Sequence, residues 1–303
     1  MPRKVVVRLK GGLGNQLFCY ASARRLAWAN DAELVLDAVS GFKYDYRYRR
    51  SYALGPFQIP ARLATHAEQL EPFGRLRRFF ARKISAHKPL DQRRYIQQIG
   101  VEFDSRILNL HLQEGTTYFD AFGQSELYFS DVRKLLEKDL VMSDPNDQPN
   151  QVMAQQVSEC LSVALHVRWF DDGNAEQSSN MSLAYYSEAI TQILAKIGKA
   201  HFFVFSDRPA AAVALLKPIL QWQPYTVVIH NTVIGNAEAD FWLMRQCRHF
   251  IIGNSTFAWW AAWLGESNHD DVQVFAPSRN VNPEQSVTAW GFPGLLPERW
   301  TVL

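Results

Sequence analysis

The sequence has little cysteine: Cys19, Cys160 and Cys247 lie far apart with no C-x-x-C pair. Neither a disulfide framework nor a cysteine zinc site fits, and a reducing compartment is expected. It has no dominant charge of either sign. The 32 Lys/Arg against 30 Asp/Glu leave a formal +2, too balanced for a dedicated polyanion binder, so nucleic acid is not an expected partner. It also has no long apolar run. The opening MPRKVVVRLKGG offers only Val5 to Val7 before Arg8, well short of a signal-peptide core, and nothing elsewhere reaches ~18 apolar residues. A soluble cytoplasmic chain, at most peripheral on the inner face of a membrane, is expected. What the sequence does have is length and apolar content. Its 303 residues, 47% hydrophobic, suffice to bury roughly three quarters of the unfolded surface, and about 150 residues per domain predicts two domains.

Val5 to Leu9 is a β-branched run halted by Gly11, Gly12 and Gly14, after which Leu17, Phe18, Ala21, Leu26 and Ala27 recur at helical spacing. ELVL at 33 to 36, ending in Asp37, completes a βαβ unit. FKYDYRYRR at 42 to 50 has no clean period and reads as a loop presenting aromatic and cationic side chains. The basic segment 75–94 carries eight Lys/Arg and one acid, with Leu76, Phe79, Phe80 and Ile84 forming an apolar stripe. Two readings stay open for it: a peripheral helix on an anionic membrane, or a helix that docks its stripe on the core. SDPNDQPNQ at 143 to 151 has the composition of a linker. The expected domains are therefore 1–148 and 149–303. Beyond it, strand candidates at 162–166, 201–205, 226–229, 249–252 and 272–275 alternate with helical patterns at 183–197, 210–220, 237–247 and 256–264. This α/β alternation predicts a parallel sheet with helices on both faces, and function beyond the carboxyl ends of its strands.

Four strand ends carry chemistry. GGLGNQ at 11 to 16 lets a ligand approach the backbone and opens a helix toward an anion. Gly12-x-Gly14 with Asp37 also partly matches a dinucleotide fingerprint, though Leu17 stands at the third glycine position. VALHVRWFDD puts His166 and Arg168 on one side of a strand. An arginine there suits a phosphate, or simply pairs with Asp171 or Asp172. HFFVFSDRP delivers Asp207 into a turn, where it caps the next helix or accepts from a nucleoside. HFIIGNSTFAWWAAWLG runs a strand into Gly253, after which Asn254, Ser255 and Thr256 open a helix that can cradle an anion. Trp259, Trp260 and Trp263 follow helical spacing and read as core.

GGLGNQLF at 11 to 18, YFDAFGQSELYF at 118 to 129, LHVR at 165 to 168, FFVFSD at 202 to 207 and FWLMRQCRHFIIGNSTFAWWAAWL at 241 to 264 together resemble glycosyltransferase family 11, the α-1,2-fucosyltransferases of the bacterial type. The resemblance implies an α/β, GT-B-like fold with two Rossmann-type domains whose parallel sheets face a cleft. It implies inverting, metal-independent transfer of L-fucose to the 2-OH of a terminal galactose, with GDP-fucose as co-substrate and no further cofactor. The acceptor would be an oligosaccharide or a lipid-linked glycan. Carried over by position, the donor would be held by His166, Arg168, Asp207, Asn254, Ser255, Thr256 and Phe257, with Gly12 and Gly14. Arg168, Asn15 and Glu126 would be catalytic, with Asn15 closing over the site from the N-terminal domain. Gln124, Ser125, Glu126 and Asp171 would form the acceptor side. The sequence departs from the family's usual pattern at Trp169, where a second arginine is common, at Gly123, where tryptophan is common, and at Cys19, where glutamine is common. Two alternatives stand beside this reading: a nicotinamide or flavin oxidoreductase using Gly12, Gly14 and Asp37, and an inactive glycan-binding homologue.

Overall fold

A computed structural model describes residues 2–170, 179–278 and 290–303. The chain divides into two compact units, Met1–Met142 with Pro293–Leu295, and Ser143–Phe292 with Leu296–Leu303.

In the first unit β1 (Arg3–Arg8), α1 (Leu13–Ala29) and β2 (Glu33–Asp37) form the expected βαβ opening. They are followed by β3 (Arg62–Leu63), α2 (Gly74–Ala86), β4 (Tyr95–Gln97), α3 (Ser105–Leu108), β5 (Gly115–Asp120) and α4 (Arg133–Asp139). The strands order β3-β2-β1-β5-β4, every pair parallel. Val5, Val6 and Val7 are fully enclosed, as a central parallel strand covered on both faces requires. The basic segment does form a helix, α2, but does not dock its stripe. It packs through Arg78 and Ser85 and leaves Leu76, Phe79, Phe80 and Ile84 exposed.

In the second unit α5 (Gln148–Ser158), β6 (Ser162–Val167), α6 (Leu183–Ile197), β7 (His201–Ser206), α7 (Pro209–Leu220) and β8 (Tyr225–Val227) come first. After them come α8 (His230–Ile234), α9 (Ala237–Met244), β9 (His249–Ile251), α10 (Thr256–Gly265), β10 (Val274–Ala276) and β11 (Thr301–Val302). The order β11-β10-β9-β6-β7-β8 is again wholly parallel. Each unit is thus Rossmann-type, as a GT-B-like chain requires. The expected linker is in part a helix start: Asp147 accepts from Asn150 N–H at 3.0 Å and Pro149 sits in the first turn of α5. Proline and aspartate mark a helix N-terminus as readily as a linker, and the unit boundary lies at Met142/Ser143 rather than near 148. In the core of this unit Val163, Leu165 and Val167 meet Tyr185, Tyr186, Ile190 and Leu216. Strand alternation sends Ala164, His166 and Arg168 to the opposite face of the sheet.

Candidate active site

The second unit gathers most of the expected donor residues at the carboxyl ends of β6, β7 and β9. Gly253 makes this possible. A Cβ at that position would lie 3.1 Å from His166 O and 3.4 Å from Arg168 N, so only glycine lets the turn before α10 close on the end of β6 without a shift. The Tyr186 hydroxyl donates to His166 O at 3.1 Å, and the Tyr185 hydroxyl to Ile252 O at 2.6 Å. Two tyrosines of α6 therefore hold both strand ends from behind.

His166 is buried beside Phe257, ring centroids 5.9 Å apart, and Phe257 meets Phe241 edge-on. Burial, reinforced by the neighbouring Arg168 charge, pushes the His166 imidazole down to about 3, so the ring is neutral at physiological pH. Its Nδ1 is buried with no hydrogen-bond partner among the described residues, a cost that native sites relieve with a ligand, an ion or a water. One residue pair further out, Arg168 Nη1 donates to Asp207 Oδ2 at 2.5 Å, and Trp169 N–H donates to Asp207 Oδ1 at 3.0 Å. Nε and Nη2 of Arg168 carry no hydrogen bond to a described residue, so one edge of the guanidinium fork is open.

Asp207 does not cap α7, whose start has no side-chain cap; it is the counter-ion of Arg168. Asp171 and Asp172, the partners considered from sequence, lie outside the described residues. The Trp169 ring packs against the α6-side core. On the other side of the site, Ser255 starts α10 without using its hydroxyl as a cap. Ser255, Thr256 and Phe257 are partly exposed and Asn254 is buried, its Nδ2 donating to Ser179 O at 2.8 Å. The N–H groups at this helix start have no intrahelical acceptor and carry the positive end of the helix dipole. Trp259, Trp260 and Trp263 are wholly buried, as core.

In the first unit Gly11 adopts φ +76° and Gly12 caps α1 without a side chain. The buried Gln16 fixes this loop, donating to Gly11 O and Ser51 O and accepting from Ala53 N–H. Asn15 is brought to Gln124, whose Nε2 donates to Asn15 Oδ1 at 2.8 Å, so two residues 109 positions apart form one polar pair. Gly14 is buried within α1 and Gly12 is only partly covered. Ser125 takes a different part from the one expected: it is wholly enclosed and its hydroxyl accepts from Leu127 N–H at 3.2 Å. It shapes the turn that presents the partly exposed Glu126. Gly123 explains its own departure from the family pattern. At φ +61°, with a virtual Cβ 2.3 Å from Ser22 Oγ and 2.5 Å from Ser22 Cβ, it has no room for a side chain. Asp37, the acid of the dinucleotide reading, is fully buried and accepts from Val39 N–H, Ser40 N–H and the Tyr118 hydroxyl, which removes it as a ribose ligand.

Sequence reasoning missed Asp120 at the end of β5. Lys10 Nζ lies 2.6 Å and Arg8 Nη1 3.2 Å from its carboxylate, and the Tyr95 hydroxyl donates to it at 2.8 Å. Burial opposes its charge, but Lys10 and Arg8 outweigh burial and hold the carboxyl below its ordinary value. Only the tertiary fold brings these groups together.

The family model described as "Glycosyl transferase family 11" matches residues 4–286. An α-1,2-colitosyltransferase of Escherichia coli is 28% identical over 279 residues, 90% of this chain and 91% of that protein. The O-antigen biosynthesis glycosyltransferase WbnK, also of Escherichia coli, is 26% identical over 289 residues, 89% and 93% of the two chains. Among solved structures, the fucosyltransferase NodZ from Bradyrhizobium superposes with a TM-score of 0.50 at 18% identity, covering 86% of this chain and 92% of its own. Crystals of NodZ, an α-1,6-fucosyltransferase, soaked with GDP-fucose give the same score at 17% identity, covering 87% and 93%.

Proposed function

The chain belongs to glycosyl transferase family 11, and from that membership we propose that it transfers L-fucose, with inversion, from GDP-fucose to the 2-OH of a terminal galactose on an oligosaccharide or lipid-linked glycan. The observation that carries the donor assignment is the buried, neutral His166 with an unsatisfied Nδ1. It stands beside a half-open arginine fork and an uncapped helix start. A nucleoside diphosphate supplies what all three lack: oxygens that accept from Arg168 and from the first turn of α10, and a polar partner for His166.

GDP-fucose is β-linked, so a single in-line attack by an acceptor hydroxyl yields an α-fucoside. The barrier lies in expelling the diphosphate from an oxocarbenium-like centre, and fixed positive charge at the leaving oxygens lowers it. Arg168 and the α10 N-terminus provide that charge from protein groups, which is why no metal is invoked. Glu126, on the turn set by Ser125, is the carboxylate assigned to the acceptor hydroxyl, and the Asn15–Gln124 pair is assigned to orienting the acceptor.

A second reading of the sugar follows from the α-1,2-colitosyltransferase relative. Colitose is fucose without its 3-OH, and a donor site built around the diphosphate admits either. The test is turnover of GDP-fucose and GDP-colitose against a panel of galactose-terminated oligosaccharides. An α-1,2-fucosylated product is the expected outcome; product from GDP-colitose alone transfers the assignment to the dideoxy sugar. Binding of a galactose-terminated oligosaccharide without turnover of either donor makes the chain a glycan-binding homologue.

A further inference from the structure

We propose that α2 is a docking surface for an anionic lipid bilayer. An amphipathic helix on a soluble domain ordinarily turns its apolar stripe inward, and α2 does the opposite. Its inward face is polar or small: Arg78 Nη1 donates to Gln69 O at 2.8 Å, Ser85 Oγ accepts from Tyr95 N–H at 3.1 Å, and Ala81 packs against the core. At Gly74 a Cβ would come within 2.4 Å of Glu71 Oε1. The outward face carries Phe73, Leu76, Phe80 and Ile84, which are 74%, 55%, 52% and 61% exposed, with Phe79 alongside. Phe73 holds φ +64°, a conformation costly for an aromatic residue, and its ring makes little contact with the chain in return.

Cations border this stripe. Arg75, Arg77, Arg82 and Lys83 lie on α2 and Lys88 just beyond it, and among the described residues no carboxylate pairs with any of the five. The patch continues into the aromatic loop: the Arg75 guanidinium sits 5.8 Å from the Tyr44 ring centre, and Tyr46, 77% exposed, meets Tyr44 edge-on. Apolar side chains that bury in the acyl boundary, tyrosines at the headgroup level and cations facing lipid phosphates are what such a surface selects. Each cation near an anionic bilayer raises partitioning about fivefold. The same charges argue against a second copy as the occupant, since pairing the stripe with itself would stack like charges. At 13 residues α2 lies on a membrane rather than across it, and no described helix is long and apolar enough to span one.

The experiment is flotation of the full chain, without sugar substrates, with vesicles of phosphatidylcholine alone or of phosphatidylcholine with phosphatidylglycerol, at low and high salt. Binding is expected with the anionic vesicles only and weakens with salt. The double variant Leu76→Glu, Phe80→Glu should lower it by about tenfold or more while keeping the melting temperature and turnover on a soluble acceptor. Equal binding to neutral vesicles, no binding to anionic ones, or an unaltered double variant would overturn the proposal. So would sedimentation velocity showing that this face joins two copies, or capture of an acidic protein without vesicle binding. Because no donor or acceptor is present, the outcome is independent of the glycosyl-transfer reading.

Discussion

Replacing Arg168 by alanine separates two accounts of the same side chain by magnitude. Its ion pair with Asp207 is short, 2.5 Å, but the two side chains are 33% and 35% exposed. Pairs so exposed contribute about 0–1 kcal/mol. If Arg168 were structural only, Arg168→Ala would lower the melting temperature by at most about 2–4 °C and leave turnover nearly unchanged. If instead its open edge neutralises the departing diphosphate, removal costs on the order of 10²-fold or more in kcat, about 2.7 kcal/mol, the scale of one preorganised donor at developing charge. The second outcome is expected. Arg168→Lys restores charge without the fork and should recover part of the rate. Asp207→Asn keeps an acceptor for Trp169 N–H, removes the counter-ion, and should cost far less than Arg168→Ala. Steady-state kinetics with GDP-fucose, paired with thermal melts of each variant, provide both numbers. A folded Arg168→Ala protein with wild-type turnover refutes the catalytic assignment.

Gly123→Ala must accept φ +61° and a contact below 2.6 Å with Ser22, and should destabilise by about 2–5 kcal/mol; a denaturation midpoint equal to wild type would show that the loop simply moves. Because the folded His166 sits near 3 against an unfolded value of 6.5, the unfolded state takes up a proton that the native state refuses as pH falls from about 6.5 toward 3. Stability should therefore drop by about 2 kcal/mol between pH 7 and 5 on this account alone, and His166→Gln should be flatter by that amount in urea unfolding; identical pH slopes would contradict the buried-neutral assignment. Fucosyl transfer should persist in excess EDTA, the positive charge at the diphosphate coming from Arg168 and α10; loss on chelation with recovery on adding Mg²⁺ or Mn²⁺ would reverse that.

Regular periodicity made much of the fold legible. The 183–197 pattern is α6 residue for residue, and the strand ends at Arg168, Asp207 and Gly253 were visible as apolar runs meeting polar or glycine positions. The interior strand β5 was not, because TTYFD at 116–120 neither alternates nor forms a purely apolar run, and its Asp120 acquires meaning only through Lys10, 110 residues away. At α2 the pattern identified which residues share a face, but not which face the tertiary structure buries: periodicity is blind to where the neighbours are. Likewise Arg168 was placed at a ligand-facing strand end, but its partner Asp207 just beyond β7 was not foreseen, because it comes close only where β6 and β7 run side by side.

The contact at Gly253 bears on how the donor is received. The α10 turn is seated directly on the backbone of His166 and Arg168 and both strand ends are fastened by tyrosine hydroxyls, so on the proposed reading the part of the site assigned to the diphosphate is braced before any ligand arrives. A nucleotide bound there as proposed would meet an already braced backbone and lose less affinity to the entropy of ordering these strand ends. A Cβ at 253 would have to push the end of β6 and the Tyr186 hydroxyl back by a few tenths of an ångström, loosening the seat that this brace provides.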